Sequence, residues 1–336
     1  MATIRLDADV IINASKALKD AENVGRMMES KINRPLGQIS RTATEFEKSL
    51  NAANARVVAF GASAGIVFTV QRAFVGLLKS TIDVEKKLTD INVVLKTSSS
   101  SLVQFGQNLF EIAKNTGQSF NTVAEAATEF SRQGLGMEET LKRTRDALIL
   151  TRLTGLSATD AVNDLTAAVN SFSKSGLTTS EIINKLATVD AQFAVSAKDL
   201  AEGLKRVGST ADDTGVSIDS LLALITTAKQ ITGRDGPVIG NALKTIFQRI
   251  DRPETLNLLE SLGVAVRDFG GEALHADNIL INLSKRFDTL TAASKNQVVQ
   301  LSAGIFQSNV FRAILSDLAK SNGIYTQSLN TSSNAT

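Results

Sequence analysis

The sequence predicts an all-α fold, an array of short packed helices with one candidate β-hairpin near residues 264–274. Two periodic patterns lead to this prediction: signals that end one helix and begin the next recur between residues 134 and 250, and apolar residues elsewhere follow helical spacing. The chain also has no Trp and one Tyr. Small aliphatic side chains and Phe must therefore fill the core, which suits closely approaching helices.

Five predicted helix boundaries, at residues 134–139, 155–160, 176–181, 194–199 and 215–220, follow one pattern: glycine or alanine, an apolar residue, in most cases Ser or Thr, and an acid. Glycine tolerates the left-handed backbone just past a helix end, the apolar residue packs on the next helix, and the hydroxyl caps its first amides. At Asp160, Glu181 and Asp199 the acid lies three residues after the cap, where it can accept a hydrogen bond from the amide of the capping residue. The residues assigned to structural turns are Gly134, Gly155, Gly176, Gly215, Gly233 and Gly236.

Apolar residues at helical spacing identify the predicted core. In a hydrophobic staple, the apolar residue before a helix cap packs against the apolar residue five positions later, in the first turn of the helix. Three pairs have this spacing: Leu177 with Ile182, Val195 with Leu200 and Val216 with Leu221. The side chains predicted to be buried are Leu200, Leu204, Leu221, Leu222, Ile225, Ile246 and Leu259.

The sequence divides into four predicted parts. Residues 1–55 form a polar helical segment, 56–80 a hydrophobic helix, 81–320 a helical core domain, and 321–336 a polar linker or truncated end. Asp7 and Asp9 lie where a secretory signal would carry a basic region followed by an apolar run. We therefore expect a cytoplasmic product at synthesis.

The hydrophobic segment leaves two alternatives open. It is either a helix that packs in a core or against a partner, or a segment that enters a membrane at some stage. In the second case Arg72 would lie in the hydrocarbon at a cost of about 2.5 kcal/mol or more. Two glycines four residues apart suit close helix contact in either setting. The residues that define the segment are Val57, Phe60, Gly61, Gly65, Phe68 and Phe74.

The glycine-rich helix entry at residues 233–237 raises the question of phosphate binding. A P-loop needs Gly followed by Lys and Ser or Thr, whereas Asn241 follows Gly240 here. The sequence therefore favours a tight turn in which Gly240 allows close helix approach.

Composition argues against several enzyme classes. The net charge of only +2 gives no strongly positive surface of the kind that binds nucleic acid. The absence of Cys excludes thiolate metal sites. The single His275 cannot form a zinc-binding His pair and is interpreted as a solvated turn residue. The adjacent Asp212 and Asp213 would point about 100° apart on a helix, so we interpret them as solvated. We predict no catalytic, cofactor-binding or metal-binding residues.

Six segments in a fixed order resemble the core region of phage tail tape-measure proteins. The resemblance spans residues 84–316 and is most specific over 203–271. The segments are Val-Glu-Lys-Lys-Leu at 84–88, Gly-Leu-Gly at 134–136, the helix at 200–207, the turn at 211–217, Gly-Asn-Ala-Leu-Lys at 240–244 and Leu-Gly-Val-Ala-Val-Arg-Asp at 262–268.

This resemblance implies a structural, non-enzymatic protein without cofactors, and it implies that the chain is the N-terminal part of a longer protein. Such proteins set tail length by templating tail tube assembly, occupy the tube lumen and leave during genome ejection. The implied partners are the tail tube protein, tail assembly chaperones, tail tip or baseplate proteins, further copies of the chain and the host membrane during ejection, with no specific nucleic-acid binding. The implied locations are the virion tail and, during assembly, the host cytoplasm. The alternative function is a solenoid-like helical scaffold that binds protein without catalysis.

Overall fold

The structure, a computed structural model, describes Val84 and residues 86–335. The predictions for residues 1–55 and for the hydrophobic segment 56–80 lie outside the described residues. The chain divides into two compact units, residues 1–85 with 98–101 and residues 86–97 with 102–336. In the first unit, the Ser98 hydroxyl accepts a hydrogen bond from the Ser101 amide and so caps a helix start.

The described residues form α-helices and no strand, which confirms the all-α prediction. Residues 86–95 are helical. The helices that follow are α1 (Ser99–Thr116), α2 (Phe120–Arg132), α3 (Met137–Thr154), α4 (Ala158–Ser171), α5 (Thr179–Gln192), α6 (Ala197–Asp213), α7 (Ile218–Thr232), α8 (Gly236–Ile250), α9 (Pro253–Ser261), α10 (Ala276–Phe287), α11 (Ala292–Ser302), α12 (Gly304–Leu318) and α13 (Ile324–Ser333). A single 3₁₀ turn, Ser173–Ser175, lies between α4 and α5.

Helix α6 lies at the centre of the packing in the second unit. It contacts α4, α7 and α8, and α7 in turn contacts α12 and α13. On one side α2, α3 and α4 pack against one another, and on the other α10 and α11 pack against α12. All seven side chains predicted to be buried are fully buried: Leu200, Leu204, Leu221, Leu222, Ile225, Ile246 and Leu259.

The predicted caps are present at four helix starts. The hydroxyls of Ser157, Thr178, Ser196 and Ser217 each accept a hydrogen bond from the amide three residues later. Only Glu181 also reaches back to the amide of its cap, at 2.7 Å from Thr178 N. All three acids accept from the cap hydroxyl, but Asp160 and Asp199 do not reach the cap amide, because their side chains are one methylene shorter.

The predicted β-hairpin is reduced to a single antiparallel bridge between Arg267 and Ala273. The Asp268 carboxylate accepts hydrogen bonds from the amides of Gly270 and Glu272. These turn amides are therefore bonded to a side chain and not to the backbone of a paired strand. Beyond it, Val266 O accepts from Leu274 N. The segment turns as expected without forming strands.

Residues 321–336 are predicted to be a polar linker or truncated end, whereas most of this segment is helical in the structure. Residues 324–333 form α13, which packs against α7. Its buried face consists of Tyr325, Ser328 and Ser332. Serine is a weak helix former and gives no apolar stripe, so neither propensity nor periodicity identified this helix.

Candidate functional site at the junction of α6, α7 and α8

Helices α6 and α8 approach each other where α8 has Gly236 and Gly240 and α6 has Gly203. A Cβ at Gly236 would lie 2.1 Å from the backbone oxygen of Asp199, and one at Gly240 would lie 2.8 Å from that of Gly203. Real Cβ atoms do not come so close to backbone atoms, so glycine is required at both positions. The close helix approach predicted for Gly240 is therefore present.

Asp199 connects the ends of three helices at this junction. Its carboxylate lies near the start of α6 and accepts from the Ser196 hydroxyl at 2.7 Å and from the Gly236 amide, at the start of α8, at 2.8 Å. Lys229, in the last turn of α7, places its Nζ 3.0 Å from Asp199 Oδ2. Lys229 also lies 3.4 Å from Asp235, the residue before α8.

The protonation of both charged groups follows from these contacts. Burial alone would raise the pKa of Asp199, but the hydrogen bonds from Ser196, Gly236 and Lys229 together hold that pKa below its ordinary value. Burial alone would lower the pKa of Lys229, but the carboxylates of Asp199 and Asp235 raise it above its ordinary value. The pair is therefore charged across the neutral range.

The same geometry accounts for the glycine-rich entry at residues 233–237. A helix N-terminus favours a negative group on its free amides. Here the carboxylate of Asp199 bonds the Gly236 amide and supplies that negative charge from within the chain. The glycine-rich segment therefore connects the start of α8 to the start of α6.

The glycines assigned to turns have two different environments. Gly236 begins α8, with Asp235 as its capping residue in the extended region. The others have positive φ values of 79° for Gly134, 69° for Gly155, 70° for Gly176, 75° for Gly215 and 66° for Gly233.

Gly215 is the most crowded of the turns with positive φ. A Cβ there would lie 2.4 Å from Cδ2 of His275. Next to it, the Ala276 amide donates to Thr214 O at 3.1 Å, so the end of α6 is fixed to the start of α10. His275 is exposed, as expected from the sequence, and lies at the N-cap position of α10.

The two adjacent aspartates do not act together. Asp212 is half-buried and pairs with Lys174 at 3.1 Å, whereas Asp213 is exposed. Among the described residues, no three His, Asp or Glu side chains are grouped so that they could hold a metal ion. No helix in this part of the chain is both long enough and apolar enough to cross a membrane.

An open groove lies between α1, α3 and α5, and sequence analysis missed it. Its volume is about 620 Å³. Asp146 in its wall accepts a hydrogen bond from the Ser180 hydroxyl at 2.9 Å and another from Thr179. The lining side chains include Ile112, Leu141, Ile149 and Ile183 among the apolar residues and Glu111, Lys142 and Arg145 among the charged ones. The groove therefore combines apolar side chains with charges of both signs.

Sequence analysis also missed Lys229, because its partner Asp199 comes from another helix. The available signals were a basic residue in the last turn of α7 and a capped acid in the first turn of α6. Spacing within one helix cannot indicate that these two residues meet.

Comparison with known proteins agrees with the resemblance found in the sequence. A family model described as "Phage-related minor tail protein" matches residues 105–301. The tape measure protein of Pneumococcus phage Dp-1 is 20% identical over 290 residues, which is 84% of this chain and 24% of that protein. The chain therefore spans about a quarter of the length of this relative.

Proposed function

Because the chain belongs to the family of phage-related minor tail proteins, and is thus a structural component of a phage tail, we propose that it acts as part of a tail tape measure. In this role it templates tail tube assembly, occupies the tube lumen and leaves during genome ejection. Its partners are the tail tube protein, assembly chaperones, tail tip or baseplate proteins and other copies of the chain. It assembles with them in the host cytoplasm and performs no catalysis.

The glycine turns of the helical array support a specific version of this proposal. One unbroken helix over residues 134–250 would be about 175 Å long. Helices α1 and α3, with 18 residues each, would each be about 27 Å long. The left-handed glycines between helices instead let the array fold back on itself. We therefore propose that this region is a folded assembly domain and that it does not measure tail length by its own extension.

Deletion of residues 156–176 in the phage tests this version. The deletion removes α4, which packs against α2, α3 and α6, so the domain should lose its fold and electron micrographs should show few or no tails. A ruler would instead give abundant tails shortened by about 30 Å, the rise of 21 helical residues. That outcome would refute the assembly-domain proposal. Phe269→Ser, at a fully exposed position, is the matched control and should give normal tails.

The proposed contact with the host membrane concerns the hydrophobic segment and has a separate test. If the segment enters a membrane during ejection, Phe68→Asp should leave tail length normal and reduce DNA delivery. If it packs against protein, the same change should impair assembly, because a buried unpaired charge is costly. Normal tails with normal infection would contradict both alternatives.

The solenoid-like scaffold is the weaker alternative. In a solenoid each repeat contacts only its neighbours. Here α13 packs on α7, and the Tyr325 hydroxyl donates to Ser220 at 3.3 Å across 105 positions of sequence. Such long-range packing is typical of a compact domain.

A further inference from the structure

Helix α13 is held on the domain by a mainly polar face that also carries one buried aromatic ring. Its buried residues are Tyr325, Ser328 and Ser332, and its half-buried apolar residues are Ile324 and Leu329. Helix α8, by contrast, buries Ile239, Leu243, Ile246, Phe247 and Ile250. The two helices are therefore attached by different kinds of contact.

The C-terminal turn of α13 is held by a buried lysine from α5. Lys185 Nζ donates to the backbone oxygen of Ser332 at 2.9 Å and to Asp219 Oδ1, on α7, at 2.9 Å. The Ser332 hydroxyl donates to the same Asp219 carboxylate. A cation at the C-terminal end of a helix also complements its dipole. Lys185 therefore connects α5, α7 and α13.

The N-terminal end of α13 is held in the same way. Asp317, at the end of α12, accepts from the Tyr325 amide at 2.8 Å, and the Tyr325 hydroxyl donates to Ser220. Between the two ends, the Ser328 hydroxyl is buried and has no hydrogen-bond partner among the described residues. A buried hydroxyl without a partner opposes docking, because it would bond to water if the helix moved away.

We propose that α13 is a latch, which undocks from α7 and returns while helices α2–α12 stay folded. Water can replace each polar bond at its two ends, and opening releases the Ser328 hydroxyl from its unsatisfied position. A helix held by aliphatic side chains would expose apolar surface to water on opening, and no new hydrogen bond would offset that cost. Opening exposes Lys185, Asp219 and Ser220 together as a polar surface. Such opening is a property of the domain itself and is independent of the tape-measure role.

Hydrogen exchange of the full 336-residue chain, measured by mass spectrometry, tests the latch. Local opening predicts that α13 amides exchange at least tenfold faster than those of α6, α7 and α8. If α13 exchanges at the same rate as α7, it opens only with global unfolding and the proposal is wrong.

Two substitutions should move the latch in opposite directions. Lys185→Met should speed α13 exchange about tenfold without changing α6 or α8, and Ser328→Ala should slow it several-fold. The matched control is Lys205→Met: Lys205 pairs at 2.7 Å with Asp164 of α4, and its loss should leave α13 exchange unchanged. Equal acceleration of all helices by Lys185→Met, or faster α13 exchange in Ser328→Ala, would overturn the proposal.

Discussion

The contact of α6 with α8 and the contact of α7 with α13 both bring helices together through small residues, yet they differ in chemistry. In the first, Gly203, Gly236 and Gly240 leave backbone against backbone, and one carboxylate, Asp199, fixes the register. In the second, Ser220 and Ser332 make hydrogen bonds across the interface. The glycine contact tolerates no added atom, whereas the hydrogen bonds of the serine contact can be replaced by hydrogen bonds to water.

The largest expected effect is that of Gly236→Ala. Its new Cβ would meet the backbone of Asp199, which cannot move aside without shifting α6. We expect a loss of about 3 kcal/mol or more in the free energy of unfolding, measured by urea denaturation with circular dichroism. Gly136→Ala is the control, since a Cβ there meets nothing within 4 Å, and it should cost less than about 1 kcal/mol. Similar costs for the two variants would show that the α6–α8 contact is adaptable.

Gly215→Val should have the next largest effect. Its φ of 75° is strained for a β-branched residue, and the side chain would collide with His275. We expect a loss of about 2–3 kcal/mol and a lower melting temperature. Adding His275→Ala should restore the share of the lost stability that is due to the collision, but not the share that is due to the positive φ. An unchanged melting temperature in the single variant would contradict the assigned backbone conformation.

The Asp199–Lys229 pair should make the stability of the α6–α8 junction depend on pH. Because the folded pKa of Asp199 is lowered, its contribution is present above the ordinary Asp pKa of 3.8 and is lost as pH falls through the lower folded value. The raised pKa of Lys229 gives a contribution that is present below 10.5 and lost as pH rises beyond it.

Urea denaturation of wild type and Asp199→Asn at several pH values measures the acidic part of this dependence. The stability difference between the two proteins should be constant from about pH 5 to 9 and shrink below about pH 4. A difference that persists unchanged to pH 2 would mean that the Asp199 charge does not stabilise the junction.

The smallest expected effect is that of Tyr325→Phe at the α7–α13 contact. The change removes the hydroxyl that bonds Ser220 and keeps the buried ring. We expect a loss of about 0.5–1.5 kcal/mol in the free energy of unfolding, below that of Gly236→Ala. A larger loss than that of Gly236→Ala would reverse the ranking of the two contacts.

Local signals account for the parts that sequence analysis predicted. Ser157, Thr178, Ser196 and Ser217 act within four residues of their own positions, so the helix starts could be identified one by one. The buried side chains followed in the same way from helical periodicity.

The features that were missed depend on residues that are distant in sequence. Lys185 lies 147 positions from Ser332, and Gly236 lies 37 from Asp199. The sequence does not identify α13, because its start is held by Asp317 from another helix and its buried face is mainly serine. Only the tertiary fold gives these residues their partners.

The position of Tyr325 has an optical consequence. The chain contains one tyrosine and no tryptophan, so its near-ultraviolet absorbance above the phenylalanine bands comes from a single ring. Burial raises the pKa of that phenol; the hydrogen bond with Ser220 lowers it in part, and the nearby Asp277 carboxylate raises it, so that the pKa lies above its ordinary value. With α13 docked, the ring should ionise only above the ordinary tyrosine value of about 10, and with α13 released it should ionise near that value. An alkaline absorbance titration therefore reads the position of this helix in an unlabelled protein.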